Sequence, residues 1–598
     1  MLLESLNTLI AQVDKYPHLI ILISVLLTYG YVIFKSGYVS DDHDGIENYD
    51  GTLMYPDESV RPGEAPRKIR KICYGTLSKW VRYHLCGGHR PSRHTIKRPD
   101  GTVVHIPSGK IPSHHHLLSI LVHATACLLL YHFLLTITTP TVALLTVLLF
   151  TAHPTCTQAV AWPSAIGYLL SLVCICSVLL ISNWVSPYTD LTHILLGLAG
   201  IAFFQVWGVY AQGIPLTTGL ILLALGQYHY GVVAILVAGA ASFVNLGGYV
   251  THRKEEFKKQ NMDQSTSFNF RKPIVALKTI AYYIYLSILP IRMGLYHEWG
   301  FHYDKKIELW DWRAIFGLVV TAISAYLFLV TPHQEVRIGI LWFYSFIFLF
   351  LNWITAQQWV TERYLYIPVI GLCLISSFYL QHLLPLYFLI FGIFICRTWM
   401  HLPTYDNEIR FYLSNTWNFQ KSEVAFGNLG VAYTQAGLGG AASDMWLISS
   451  SINQDYDVPF YNIYSKNKSA ALMAIQHGNY EQGIQSLTQC IPMMQRVLDC
   501  KVIHFRENWQ KEMDELKDMV QNPVRFLIGE LNRLQVLRDN LMKLLYEAKE
   551  KTRQDEITSS INDNNRQIDA LKSYFSSKGI NIEYNPEKAL LNKLTGGK

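Results

Sequence analysis

The sequence lacks a CxxC pair and any cysteine–histidine spacing of the kind that suggests a zinc site. It also lacks a basic block. Fifty Lys and Arg against 44 Asp and Glu leave a net charge of +6 spread along 598 residues, and nothing argues for a nucleic-acid partner. Charge itself is scarce: 16% of the residues are charged and 50% are hydrophobic. That is too apolar for an ordinary soluble protein and too polar for a chain embedded along its whole length, and the length calls for more than one domain. The first apolar run has no small-residue cleavage site and is long enough to span, so it is expected to be an anchor rather than a removable signal. Among ten cysteines, Cys127, Cys174, Cys176, Cys373 and Cys396 lie inside apolar runs, where cysteine behaves as a small hydrophobe. Cys73 and Cys86 share one polar loop and could be bridged in an oxidising compartment.

Long apolar runs are what the sequence has instead. They sit near 17–34, 115–135, 165–182, 191–209, 213–228, 231–250, 273–292, 313–331, 337–355, 366–382 and 384–400, with a shorter one at 140–152. A bilayer core needs about 20 residues of helix, so the pattern predicts eleven to thirteen spans. The expected fold class is all-α: a polytopic transmembrane bundle over 1–400, interrupted by a long polar loop at 35–114. The loop 251–272 carries six Lys and Arg and would normally face the cytoplasm. Counting from a cytoplasmic N-terminus through every run puts it on the opposite side. Either one run is re-entrant or the loop breaks the rule.

After about residue 401 the apolar runs give way to helical periodicity with charged faces, which predicts a soluble helical domain. Residues 423–456 fit a 34-residue tetratricopeptide repeat, with Phe426, Leu429, Gly430, Tyr433, Ala442 and Trp446 at its packing positions. A generic helical hairpin fits the same residues. A degraded second unit follows at 468–491, so the repeats are assigned to 401–491. Over 492–598, Leu527, Leu531, Leu534, Leu537, Leu541 and Leu544 recur at spacings of three and four, a short coiled-coil-like seam.

Four polar islands interrupt the apolar chemistry. SGYVSDDHDGIENYDG (36–51) places Asp41, Asp42 and Asp44 just beyond the first run, as a solvated acidic loop or as a carboxylate cluster at the membrane face. TAHPTCTQAVAWPSA (151–165) has His153-Pro154 and Trp162-Pro163, pairs that stop helices and shape a loop. His153 alone reads as a hydrogen-bonded structural residue. MGLYHEWGFHYDKK (293–306) offers His297, Glu298, His302 and Asp304. QQWVTERYLYIP (357–368) sets Glu362 and Arg363 beside Tyr364 and Tyr366, where Arg363 suits two-pronged phosphate binding or interfacial anchoring.

Taken in order, the acidic pair, HLLSILVHATACLLLYHFL, HPTCTQAV, QGIPL, ILPIRMGLYHEW, TERYLYIP and the repeat tail resemble the membrane O-mannosyltransferase-related proteins that carry tetratricopeptide repeats. These belong to the GT-C class of polytopic glycosyltransferases that use lipid-linked sugars. The resemblance covers roughly 17–460 and is closest to bacterial members at TERYLYIP and at YDNEIRFYLSNTWNFQKSEVAFGNLGVAY. It implies a polyprenyl-phosphate sugar as donor and a protein or glycan hydroxyl as acceptor. By the resemblance, Asp41 and Asp42 are the general base and contacts for a divalent cation (Mg or Mn). Arg363 and Tyr364 hold the donor phosphate, and His153, Glu298 and Glu362 support them. It also implies a multi-pass protein of the bacterial inner membrane, with the endoplasmic reticulum membrane as the alternative, contacting membrane lipids and, through its repeat and C-terminal helices, protein partners.

Four positions depart from the family pattern. Cys156 and Gln158 stand where relatives carry a histidine and a glutamate, and Tyr210 and Ala211 where they carry a lysine and a glutamate. Two functions from different classes therefore remain open: a hexosyltransferase, or a non-catalytic membrane subunit that holds a larger assembly together. A transporter ranks below both, because intramembrane charges typical of an ion path are sparse.

Overall fold

In the computed structural model, the described residues are 16–42, 85–86, 94–97, 103–106, 113–184, 214–226, 271–295, 297, 310–351, 360–500, 506–547 and 551–580. They are helical apart from one two-stranded antiparallel ribbon, His94–Lys97 paired with Val103–Ile106. The runs at 191–209 and 231–250, Cys73, Tyr210, Ala211, Glu298, His302 and Asp304 lie outside the described residues.

The chain forms two compact units, residues 1–256 with 263–445 and residues 446–598 with 257–262. In the first, α1 (Pro17–Lys35) is followed by α2 (Ser113–Leu134), α3 (Pro140–Ala152), the short α4 (Thr157–Ala161), α5 (Ile166–Trp184) and α6 (Ile214–Ala224). Then come α7 (Arg271–Ile288), α8 (Trp312–Val330), α9 (Gln334–Ile347), α10 (Val369–Leu380), α11 (Leu384–His401), α12 (Glu408–Asn418) and α13 (Glu423–Gln435). Some helices start where the sequence offers a stop or a cap. Pro140 opens α3 with Thr139 accepting from Val142 N, and Asp311 caps α8 by accepting from Arg313 N. His153 and Pro154 break α3 from the following segment with a bend of 60°, as the His-Pro pair predicts.

Among the described residues, four helices are long and apolar enough to cross a membrane: Pro17–Lys35, Ser113–Leu134, Trp312–Val330 and the α11 segment Leu384–Tyr405; the bent pair around His153 would make a fifth. Eleven to thirteen spans are therefore not reached among the described residues. Part of the difference is length: the run at 366–382 forms a helix of 12 residues and the one at 337–355 a helix of 14, both short of about 20. Apolar periodicity does not show where an apolar run is broken by a turn. The shorter helices pack in the interior while α8 and α11 turn large apolar side chains outward, among them Leu329, Tyr326, Leu389 and Ile393.

The division of the chain falls at 445/446, beyond the composition change near 400. Residues 401–445 belong with the bundle because Tyr405, Phe411, Tyr412, Leu429 and Ala432 are part of its buried core. Residues 423–452 do fold as two helices, α13 and α14 (Gly439–Ile452), with Ser422 capping α13. Leu429 and Trp446 are buried, and Phe426 and Tyr433 are half-buried.

The second unit has its own core. Helices α15 (Val458–Gln476) and α16 (Tyr480–Leu498) pack closely where a side chain at Gly483 would meet Ile475 and the backbone of Ala471. Helix α17 (Arg506–Gln521) follows, and Glu512 gathers Tyr461, Tyr464 and Lys468. Helices α18 (Pro523–Glu547) and α19 (Lys551–Ser577) pair along the leucine seam. Leu527, Leu531 and Leu534 are buried there, Asn564 donates to Leu534 O, and Leu537 and Leu544 are exposed. The seam thus closes over its first turns and opens towards 544.

Within the bundle, α9 and α10 cross at Gly339 and Gly371. A Cβ on Gly371 would lie 2.2 Å from Gly339 O, an approach only glycine permits. Gly392 of α11 has open space around it. Gly371→Ala should therefore cost about 1–3 kcal/mol by forcing the helices apart. Gly392→Ala should be neutral or stabilising by up to about 1 kcal/mol. Thermal melting of the detergent-solubilised protein checks the pair, and equal shifts would contradict this crossing.

Candidate functional site

The loop that leaves α1 is tied down by neighbours more than a hundred residues away. Trp162 Nε1 donates to Val39 O at 3.1 Å, Gly37 N donates to Tyr405 O at 3.0 Å, and Ser40 N donates to Glu408 Oε2 at 2.8 Å. Ser40 sits at φ +53°, a left-handed conformation that a serine adopts when its surroundings over-determine it. The two aspartates then part company. Asp42 is fully buried; its Oδ1 accepts from Ser164 N (2.8 Å) and Ser164 Oγ (2.6 Å), and its Oδ2 accepts from Val39 N (3.2 Å). Asp41 is exposed.

The 153–165 loop meets this one and also the next. His153 Nε2 lies 2.9 Å from Ser287 O, so it carries the proton, and Nδ1 accepts from Thr155 N at 3.3 Å. His153 is thus a hydrogen-bonded loop former, the bland reading of that residue. Gln158 Oε1 accepts from Thr361 Oγ1 (2.6 Å) and from Arg363 N (2.8 Å), clamping the TER segment in place. Cys156 is buried, with Sγ 3.5 Å from Phe150 O.

On that segment, the Arg363 guanidinium lies 5.0 Å from the Trp162 ring centroid and 5.4 Å from that of Tyr364. Tyr364 is buried and stacked on Phe350 at 4.4 Å, so it serves as a wall. Glu362 turns the other way. Its carboxylate is fully buried, 3.5 Å from His297 Nε2 and 3.6 Å from His401 Nε2, and Gly294 N donates to Oε1. Gly294 has φ +156°, and a side chain there would collide with Asn415 Oδ1 and Phe419. Burial pushes the Glu362 carboxyl up, but the two imidazoles more than reverse this and hold it down to about 2. At 3.5–3.6 Å these separations are longer than ordinary hydrogen bonds.

Tyr405 lies within electrostatic reach of Glu362, Arg363 and Asp42 together. The structure therefore gathers Asp41, Asp42, His153, Glu362, Arg363 and Tyr364 in linked loops, while Glu298 lies outside the described residues. It adds Ser164, Trp162, Gln158, His297, His401 and Asn415, whose carboxamide accepts from Leu295 N at 2.6 Å. His297 was visible as part of an island. Ser164, His401 and Asn415 carry no motif; the doublet Trp162-Pro163 signalled only a helix stop.

Three chain donors engage the buried Asp42 carboxylate, and Asp41 beside it is exposed. Among the described residues no group of three or more His, Cys, Asp and Glu is arranged to hold a metal. Comparison with family models, curated proteins and solved structures finds no match for the chain.

Two outcomes follow. Asp42→Ala strands Ser164 N and Val39 N and should cost about 1–3 kcal/mol, read by thermal melting of the solubilised protein. For Glu362, the folded carboxyl lies below its ordinary 4.5, so its stabilisation is present above that pH and fades as pH falls towards about 2. An acid titration of the melting temperature should show that decline in the wild type and lose it in Glu362→Gln.

Proposed function

We propose that the chain is an integral membrane glycosyltransferase that moves a sugar from a polyprenyl-phosphate donor to a hydroxyl of a protein or glycan. The observation that carries this reading is the linkage of the loops bearing Asp41 and Arg363 through Trp162, which bonds Val39 O and stacks under the guanidinium. The sequence resemblance supplies the reaction class, and the geometry divides the labour. Asp41, exposed, takes the proton of the acceptor hydroxyl as that oxygen attacks the anomeric carbon. Arg363 stabilises the phosphate that departs with the bonding electrons. Asp42 is a positioning residue that fixes Asp41 through Ser164, and Gln158 and Glu362 hold the arginine segment from either side. The lipid-linked donor reaches the site from the bilayer, and the second unit offers its helices to protein partners.

A second reading rests on a specific observation. Cys156 is buried and Gln158 is a clamp, so two positions polar in the resembled family serve packing here. That suits a scaffold subunit that has kept the frame without turnover.

Asp41→Asn separates the two. Removing the base should lower sugar transfer to the acceptor by about 10²–10⁴-fold at unchanged protein abundance. Arg363→Lys should also lower it, because a point charge does not reproduce a planar two-pronged contact. Full transfer by both variants would rule out the catalytic reading, and deletion of 490–598 would then be the damaging change.

A further inference from the structure

Helix α12 follows directly on the helix end at 401–405 and presents two unlike faces. Phe411, Tyr412, Asn415 and Thr416 are buried, and Phe419 continues that face. The opposite stripe, at spacings of three and four, is Arg410, Leu413, Trp417 and then Lys421 just past the helix end. Trp417 is 74% exposed and Leu413 37%. A face meant for water gains nothing from a bare indole beside a leucine. A face meant for the lipid–water boundary gains from both: the indole belongs at headgroup level, and flanking cationic side chains reach outward from it.

The stripe is continuous with the outward surface of the bundle. Tyr31 OH of α1 donates to Asp406 Oδ2, and Arg410 pairs with the same carboxylate, which joins α12 to α1. At these ends of α1 and α11, Phe34, Trp399 and Met400 are exposed, and Trp399 Nε1 donates to Leu27 O, joining α11 to α1. Phe34, Trp399, Met400, Leu413 and Trp417 are thus exposed on three helices joined to one another near the loop of Asp41.

We infer that α12 is an interfacial helix whose Leu413–Trp417 stripe is seated in the headgroup region of the bilayer, anchoring the candidate site at the lipid–water boundary. This rests on the reading that α1 and α11 cross the membrane, and it does not depend on sugar transfer. The site would then open at the depth where a lipid-linked phosphate lies.

The test uses the full chain reconstituted in vesicles of phosphatidylcholine and phosphatidylglycerol, with and without brominated acyl chains. Trp417→Phe removes one of 14 tryptophans at an exposed position, so the wild-type signal minus the variant signal isolates Trp417. Brominated lipid should quench the wild type measurably more than Trp417→Phe. Equal quenching by brominated lipid overturns the proposal. Excess quenching by aqueous acrylamide would then mean that the stripe faces water, and no excess by either quencher that a protein segment covers it. Co-flotation with the vesicles separates the two failures: protein that does not float sinks the membrane reading itself, and protein that floats without differential quenching sinks only the seat of α12.

Discussion

A buried carboxylate is the constraint on which the candidate site depends. Asp42 accepts from Ser164 N, Ser164 Oγ and Val39 N and has no exposure to water. Burying a charge in this way is costly unless its hydrogen bonds are satisfied in full. The loop after α1 and the loop after α4 are therefore fixed together, and Trp162 repeats the tie at Val39 O. Where Asp41 emerges is decided by its neighbour.

The same logic extends to Glu362. Two histidines from separate elements, one beside α7 and one at the end of α11, stand at the two carboxylate oxygens. Gly294 and Asn415 bring the loop of His297 up to them. Arg363 is held at its backbone, where its N donates to Gln158 Oε1. Its guanidinium lies 5.0 Å from the Trp162 ring centroid.

The helical class, the helix stops at His153-Pro154 and Trp162-Pro163, and the polar islands were legible in the sequence, because each depends on local rules: an apolar run, a missing N–H, a cluster of polar side chains. The lengths of individual helices were not. Whether an apolar run such as 366–382 yields a full helix or a short one after a turn depends on what packs against it. The split between Asp41 and Asp42 was equally hidden. Adjacent residues of one type look alike until Ser164, 122 residues on from Asp42, is known to sit beneath one of them. Gln158 is the sharpest case. In the sequence it registers as a lost acid, and in the fold it accepts two hydrogen bonds that set the arginine segment.

That last residue bears on how a site can change without the frame collapsing. A glutamate at 158 would bring a second buried charge next to Glu362 and within the Thr361–Arg363 turn. A glutamine keeps the acceptor oxygen for Thr361 Oγ1 and Arg363 N while removing that charge, so the turn holds its shape on hydrogen bonds alone. The electrostatic demand on Arg363 falls at the same time, since no buried anion at 158 competes for its guanidinium. A glutamine at 158 thus fixes the Thr361–Arg363 turn without placing a buried charge beside the arginine.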